Sequence, residues 1–406
     1  MKMNVQKELY KLINNEVKRL NNNIILIGSA NLPFRSVMQA YGLPLNYNPI
    51  ERSDNSWISP GCEDCSKIYK TGNRLALNFF NNPKGYLVTL NPLSGTQSNQ
   101  IVFNACLNNN DVVLTFNQIC GGHVSNFAFI EKHFNIVLYG TRYDNTIDYE
   151  DITTKVYKYK PKLVIAGASS YPRMFNYQKL SSICKETGSL LLADIAHTGL
   201  YESANESSSS FGYADFISFT THKATRGPRG GVLYYRTEFD AQIQASTYTI
   251  TQCAPRYTDI ICKSIMFSEW NTASKMKYIK SIHKISEFIC NYMKINGEIL
   301  YTDGTDIHYI VIDVSNKKFL AKDLQKMLNS IGILVDICYI PNCINCVRYN
   351  GLRIGVLMLA TLNYTITDIQ MICKIILEVI NGNYNIKEQK KLTQELALKY
   401  SAIMAF

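Results

Sequence analysis

Several common architectures are absent from this chain of 406 residues. No segment recurs at a fixed period, which excludes solenoids and propellers, and no low-complexity linker separates one part from another. No apolar run approaches the roughly 20 residues needed to span a bilayer, so a membrane is not an expected partner. Histidine is scarce, six in all, and none lies near the pairs Cys62/Cys65 and Cys343/Cys346. Two Cys-Xaa-Xaa-Cys pairs in separate loops, without histidines, are read as structural thiols, not as a zinc or redox site. The twelve cysteines are scattered through a large chain, which argues for reduced thiols inside a cell and against a disulfide framework. A formal charge of +10 is spread without a basic stripe and interleaved aromatics, so nucleic acid is not an expected partner either.

What is present points to a lysine. Thr220-Thr-His222-Lys223 follows the apolar run Phe216–Phe219 and precedes a turn containing Arg229-Gly-Gly. A lysine held partly desolvated among cations becomes a Schiff-base nucleophile, the attachment expected for pyridoxal phosphate; the alternative reading is a solvated loop. Upstream, the nearly unbroken apolar run from Ser189 ends on Asp194-Ile-Ala-His197, as a buried parallel strand does. Ligands of open α/β sheets sit beyond the carboxyl ends of strands, where Asp194 and Lys223 can meet. An aspartate against a pyridine nitrogen keeps it protonated; the competing role for Asp194 is a helix N-cap.

Further upstream a strand, Gly85–Leu90, leads through Asn91-Pro-Leu to Ser94-Gly95-Thr96 and an amphipathic stretch from Gln100 to Leu107. Hydroxyls and the amides of a first helical turn make an anion site, so Ser94, Gly95 and Thr96 read as a phosphate cradle, or as an ordinary cap. Gly121-Gly122-His123 follows the apolar run from Val112, and its imidazole offers a flat face to a ring, though a lone histidine in a turn is more often structural. Ser169 closes the run Lys162–Ala166.

In this order, cradle, histidine, serine, aspartate with histidine, then lysine, the chain resembles serine hydroxymethyltransferase over nearly its whole length. Ile25-Leu-Ile-Gly-Ser29-Ala-Asn31 is similar to the family's Leu-Ile-Ala-Ser-Glu-Asn, and Asp194-Ile-Ala-His197 to its Asp-Met-Ala-His. The resemblance implies a fold-type I (aspartate-aminotransferase-like) α/β large domain with a smaller α+β domain. It further implies pyridoxal 5'-phosphate bound through Lys223, with Asp194 on the ring nitrogen and His123 stacked on the ring. Ser94, Gly95 and Thr96 would hold the phosphate with help from His222, and Ser169 and His197 would lie along the phenolic oxygen. Arg353 would take the substrate carboxylate, with Ser29 nearby, and Glu51, reached by counting back from Gly61-Cys62-Glu63, would serve as acid/base. The implied activity interconverts serine plus tetrahydrofolate with glycine plus 5,10-methylenetetrahydrofolate.

Departures from the family pattern keep alternatives open. Pro49 and Ser59 stand where tyrosines are expected, and Gln252-Cys253-Ala254-Pro255 replaces a Gln-Gly-Gly-Pro whose amides reach a partner subunit's phosphate. Cys338 stands where an asparagine meets the pterin, which weakens folate more than the amino acid. Two alternatives follow: a degenerate paralogue acting as a structural or regulatory partner, and a folate-independent 3-hydroxy amino acid aldolase. A homodimer or homotetramer is expected, or a hetero-oligomer with an intact paralogue. Met1–Arg19 carries a net positive charge but includes Glu8 and Glu16 and leaves little room for a presequence; mitochondrion is the expected compartment, with cytoplasm the alternative. The expected organisation is an N-terminal arm over 1–36, a cofactor domain over 37–267 and a small domain over 268–406. One long helix is expected over Asp259–Ile295 and another from Lys387 to Phe406.

Overall fold

The computed structural model describes residues 2–45, 52–53, 56–57, 59–341 and 349–401. The chain forms two units, Asn31–Lys280 and a second assembled from Met1–Ala30 with Ser281–Phe406. These divisions fall at 30/31 and 280/281 where 36/37 and 267/268 were expected; the second lies inside the helix Thr272–Ile295, and a strand pairing accounts for the first. The apolar triplet Ile24–Leu26 pairs in parallel with Ile333–Cys338, Ile24 opposite Ile333, so the start of the chain joins the C-terminal unit's sheet instead of standing apart as an arm.

The larger unit is built on seven strands. In spatial order they are Tyr86–Thr89, Gly231–Arg236, Phe216–Thr220, Leu190–Asp194, Leu163–Ala166, Val112–Phe116 and Asn135–Tyr139. All run the same way except Gly231–Arg236, which is antiparallel to both neighbours. The central strands read as continuous apolar runs because both faces are covered, the usual state of parallel sheets. Val113, Leu163, Ile165, Leu192, Phe216 and Leu233 share one cluster with Ile101 and Val102 of the helix Gly95–Cys106. Burying each such side chain contributes about 1.5–3 kcal/mol, which fixes the sheet and brings the carboxyl ends of six strands to one edge.

The expected helix over Asp259–Ile295 is two helices, Tyr257–Glu269 and Thr272–Ile295. Trp270 leaves the helix in an extended conformation, its ring edge-on to Phe34 at 5.2 Å and its Nε1 donating to the Thr225 carbonyl at 2.9 Å. Asn271 and Ser274 then cap the second helix reciprocally: the Ser274 amide donates to Asn271 Oδ1 and the Asn271 amide to Ser274 Oγ. Side-chain packing and a capping pair outweigh the apolar periodicity that runs through the break.

The smaller unit's sheet has the order Ile24–Leu26, Ile333–Cys338, Gly351–Gly355, Tyr309–Asp313, Ile299–Leu300. Its helix Ile366–Ile380 buries Ile369, Ile372, Cys373, Ile376, Val379 and Ile380, the spacing of one helical face. Thr365 caps this helix, and the C-terminal helix Ile386–Lys399 is tied to it by Lys399 donating to Asp368 at 2.7 Å. That helix begins at the expected place; residues 402–406 lie outside the described residues. Among the described residues, no helix is long and apolar enough to cross a membrane and no cluster of metal-ligating side chains occurs.

Candidate functional site

At the carboxyl edge of the larger sheet the expected cofactor residues come together, each placed by the loop that leaves its strand. Lys223 follows Phe216–Thr220, is only 7% exposed, and sets its Nζ 2.9 Å from His197 Nε2. The solvated-loop reading of this lysine is therefore set aside. Its loop is strapped down on both sides. Thr220 Oγ1 donates to the Ala196 carbonyl at 3.0 Å, the Gly227 amide donates to the Thr221 carbonyl at 2.7 Å, and Asn31 Nδ2 donates to the Lys223 carbonyl at 2.8 Å. Arg226, three residues on, adopts φ +59, a left-handed conformation disfavoured for a residue with a Cβ that persists only where its surroundings hold it. They do: its guanidinium lies 4.5 Å over the Phe34 ring and donates to the Leu32 carbonyl, and its own carbonyl accepts from the Phe34 amide.

Asp194 ends its strand half-buried, with Oδ2 accepting from Asn99 Nδ2 at 3.0 Å and Oδ1 from the Ala196 amide at 3.2 Å. It does not cap the next helix, Gly199–Ser203, which starts after Thr198 without a side-chain cap. Asn99, in the helix Gly95–Cys106, was missed from sequence; its only signal is an amide on the buried face of a helix already placed at the site. Ser94 does cap that helix, accepting from the Gln97 amide at 3.0 Å, so the ordinary-cap reading of Ser94 is realised. Ser94, Gly95 and Thr96 thus stand at the positive end of the helix, the end that favours anions. Gly95 lies against Thr220: a Cβ there would stand 2.8 Å from Thr220 Cγ2.

Two glycines draw the remaining loops in. A Cβ on Gly167 would fall 2.5 Å from the Asp194 carbonyl oxygen, and one on Gly121 would fall 2.5 Å from the Tyr171 amide nitrogen. Gly121 also has φ +108, and its carbonyl accepts from the amides of Ser169 and Ser170 at 2.9 and 3.1 Å. The turn bearing His123 is thereby stitched to the strand end bearing Ser169. Ser169 Oγ lies 3.4 Å from the Gly121 and Gly122 carbonyls, long contacts that a better acceptor can replace.

His222 is pushed down to about 3, first by burial and then by the neighbouring charges of Lys223 and Arg229, so it is a neutral imidazole at physiological pH. Its Nδ1 is buried with no hydrogen-bond partner. Both polar atoms of the Asn91 side chain, in the turn before Ser94, are likewise buried and unpartnered. Unsatisfied buried polar groups are costly in a finished core, and Asn91 lies three residues ahead of the Ser94 helix start. A neutral histidine, a primary amine, an anchored carboxylate and a helix N-terminus together fit a phosphorylated pyridine aldehyde.

The other expected site residues belong to the smaller unit. Arg353, on the strand Gly351–Gly355, is paired: Nη2 and Nε donate to Asp336 Oδ2 at 2.6 and 3.2 Å, and that oxygen also accepts from the Gly28 amide at 3.0 Å. Burial opposes the Arg353 charge most strongly, yet Asp336, with Tyr309 and Cys338, outweighs it and the guanidinium is held above its ordinary value. Its face lies 5.3 Å over the Tyr309 ring. Ser29 is the residue after Gly28, in the turn closed by the Ala30 amide donating to the Ile27 carbonyl. Asp336 was not singled out from sequence, where it is one polar residue in an apolar strand. Cys338 is buried at the end of the same strand. Glu51 lies outside the described residues, as do Cys343 and Cys346.

A family model described as serine hydroxymethyltransferase matches residues 3–376 of the chain. A curated relative named serine hydroxymethyltransferase, from Helicobacter acinonychis (strain Sheeba), is 31% identical over 394 residues, which cover 96% of this chain and 94% of that protein.

Proposed function

The chain belongs to the serine hydroxymethyltransferase family of fold-type I pyridoxal-phosphate enzymes and has glycine hydroxymethyltransferase function; from that premise we propose how its residues divide the work. When bound, pyridoxal phosphate supplies an electron sink for a carbanion at the amino acid's α-carbon. Lys223 is the covalent anchor, and His197, 2.9 Å from its Nζ, holds the amine in place. Asp194 keeps a proton on the pyridine nitrogen, and Asn99 with the Ala196 amide fixes the carboxylate that does so. Ser94, Gly95 and Thr96 receive the phosphate, and His222 offers it an uncharged, buried ring nitrogen. His123 would cover one face of the ring, and Ser169 would lie on its phenolic side.

Arg353 is the carboxylate-binding cation, with Ser29 beside it, because a planar guanidinium reads both oxygens of an amino acid. Glu51 manages the proton on the hydroxymethyl oxygen, and tetrahydrofolate accepts the one-carbon unit. A homodimer is supported by the N-terminal helix Lys2–Asn21, which exposes Val5, Leu9, Leu12, Ile13 and Val17. An apolar stripe at that spacing needs a covering surface.

The observation that carries this reading is a buried Lys223 amine beside His197, on the same sheet edge as an Asp194 anchored on both oxygens. Borohydride reduction of the holoprotein, digestion and mass spectrometry test it. The cofactor mass is expected on the peptide containing Lys223 and is expected to be lost in Lys223→Ala. Label on any other lysine, or none, overturns the assignment.

A further inference from the structure

Beneath the phosphate turn lies a second lysine that the mechanism above does not use. Lys263, in the helix Tyr257–Glu269, is fully buried. Its Nζ donates to the Leu90 carbonyl at 2.6 Å and the Pro92 carbonyl at 2.7 Å. These carbonyls flank Asn91, whose buried side chain is unpartnered, and stand just ahead of Ser94. The same turn is held to the far end of the Lys223 loop: the Gly231 amide donates to the Pro92 carbonyl at 2.9 Å. A Cβ on Gly231 would fall 2.2 Å from the Ser94 carbonyl oxygen, and a Cβ on Gly230 would fall 2.4 Å from Lys263 Cε. Lysine, phosphate turn and lysine loop are thus packed without room for one more carbon.

We propose that Lys263 is a positioning residue for the cofactor phosphate: by drawing in the carbonyls of Leu90 and Pro92 it sets the turn that aims Ser94 and the first helical amides at the anion. The proposal rests on the reading of Ser94–Thr96 as the phosphate cradle. A carbonyl bound by an ammonium points inward, so the turn it belongs to presents its donors on the opposite side. The buried positive charge also sits on the phosphate's side of the sheet edge, where low screening extends its reach. Burial lowers the ammonium to about 7, with Asp259, one turn before it on the same helix, pulling the other way; a phosphate dianion adds to that pull and favours the charged form.

The test compares pyridoxal phosphate with pyridoxal, which shares the ring and aldehyde and lacks the phosphate, by titrating apoprotein and following the bound chromophore. For Lys263→Met the Kd for pyridoxal phosphate is expected to rise about ten-fold or more, while that for pyridoxal stays within about two-fold, because the lost charge and bonds act on the anion alone. Gly230→Ala keeps the lysine and displaces it, and the same asymmetry is expected; it decides the matter if Lys263→Met does not fold. Equal weakening of both ligands, or no weakening, overturns the proposal. Ser94→Ala separates the two layers of the argument. If it leaves pyridoxal phosphate binding unchanged, the cradle is elsewhere; if it weakens binding and Lys263→Met does not, only the role of Lys263 fails.

Discussion

Asp336 holds Arg353, the cation proposed above for the substrate carboxylate, and replacing it by asparagine should move stability and affinity in opposite directions. In the free protein Asp336 Oδ2 receives three donors, two from Arg353 and one from the Gly28 amide. The side chains of Arg353 and Asp336 are 13% and 25% exposed, so the pair is screened less than a surface ion pair and more than a core one. Removing one partner of a fully buried pair costs about 3–5 kcal/mol; with a quarter of the carboxylate in solvent and an amide oxygen retained by asparagine, about 1–3 kcal/mol is expected. The incoming carboxylate gains. Two carboxylates sharing one guanidinium at a separation of ~6 Å repel by roughly 3 kcal/mol at an effective dielectric near 20, and partial exposure reduces that to about 1–2 kcal/mol. Asp336→Asn should therefore unfold at a lower temperature and bind glycine about ten-fold more tightly. Thermal unfolding and glycine titration of the holoprotein measure the two effects separately. Weaker glycine binding in the variant would refute the competition and make Asp336 an orienting group for Arg353.

Three further outcomes follow from the larger unit. Burial pushes the Glu202 carboxyl up to about 7 despite bonds from Ser210 and Thr198. Between about pH 4.5 and 7 the folded protein keeps a proton that the unfolded chain releases, so this group subtracts stability as pH rises. Glu202→Gln should gain on wild type by roughly 1 kcal/mol per pH unit across that window in urea unfolding; a difference that does not change between pH 5 and 7 would contradict the buried, protonated carboxyl. Gly167→Ala places a methyl against the Asp194 backbone and should cost about 1–3 kcal/mol in thermal unfolding while weakening pyridoxal phosphate binding; unchanged cofactor affinity would show that Asp194 does not depend on this contact. Asn99→Ala removes one of the two bonds that anchor Asp194, and about 1 kcal/mol of cofactor affinity should go with it. An unaltered Kd would mean that the Ala196 amide anchors Asp194 alone.

Much of the candidate site was legible as sequence because strand ends and helix starts are local features. Lys223, Asp194, His197 and Ser94 each sit where an apolar run ends, and an apolar run with both faces covered is visible as a string of letters. Asn99 and Lys263 were not legible. Each is a polar residue on an ordinary-looking helix, and its meaning comes from what lies across the sheet edge: the Asp194 carboxylate for Asn99, the carbonyls of Leu90 and Pro92 for Lys263. The break at Trp270 was hidden for the same reason, since helical periodicity continues through it and the competing partners, Phe34 and the Thr225 carbonyl, are far away in the chain.

By itself, then, the order of residues marked the strands Tyr86–Thr89, Val112–Phe116, Leu163–Ala166, Leu190–Asp194 and Phe216–Thr220 and which of the loops after them carry an amine, a carboxylate or a helix start, because hydrophobic patterning and capping need only neighbours along the chain. Tertiary structure alone decided the strand order, the reversed strand Gly231–Arg236, the recruitment of Ile24–Leu26 to the distant Ile333–Cys338 and the pairing of Arg353 with Asp336. Those outcomes depend on which surfaces and charges meet in space, and a desolvated charge takes whatever partner packing brings within reach.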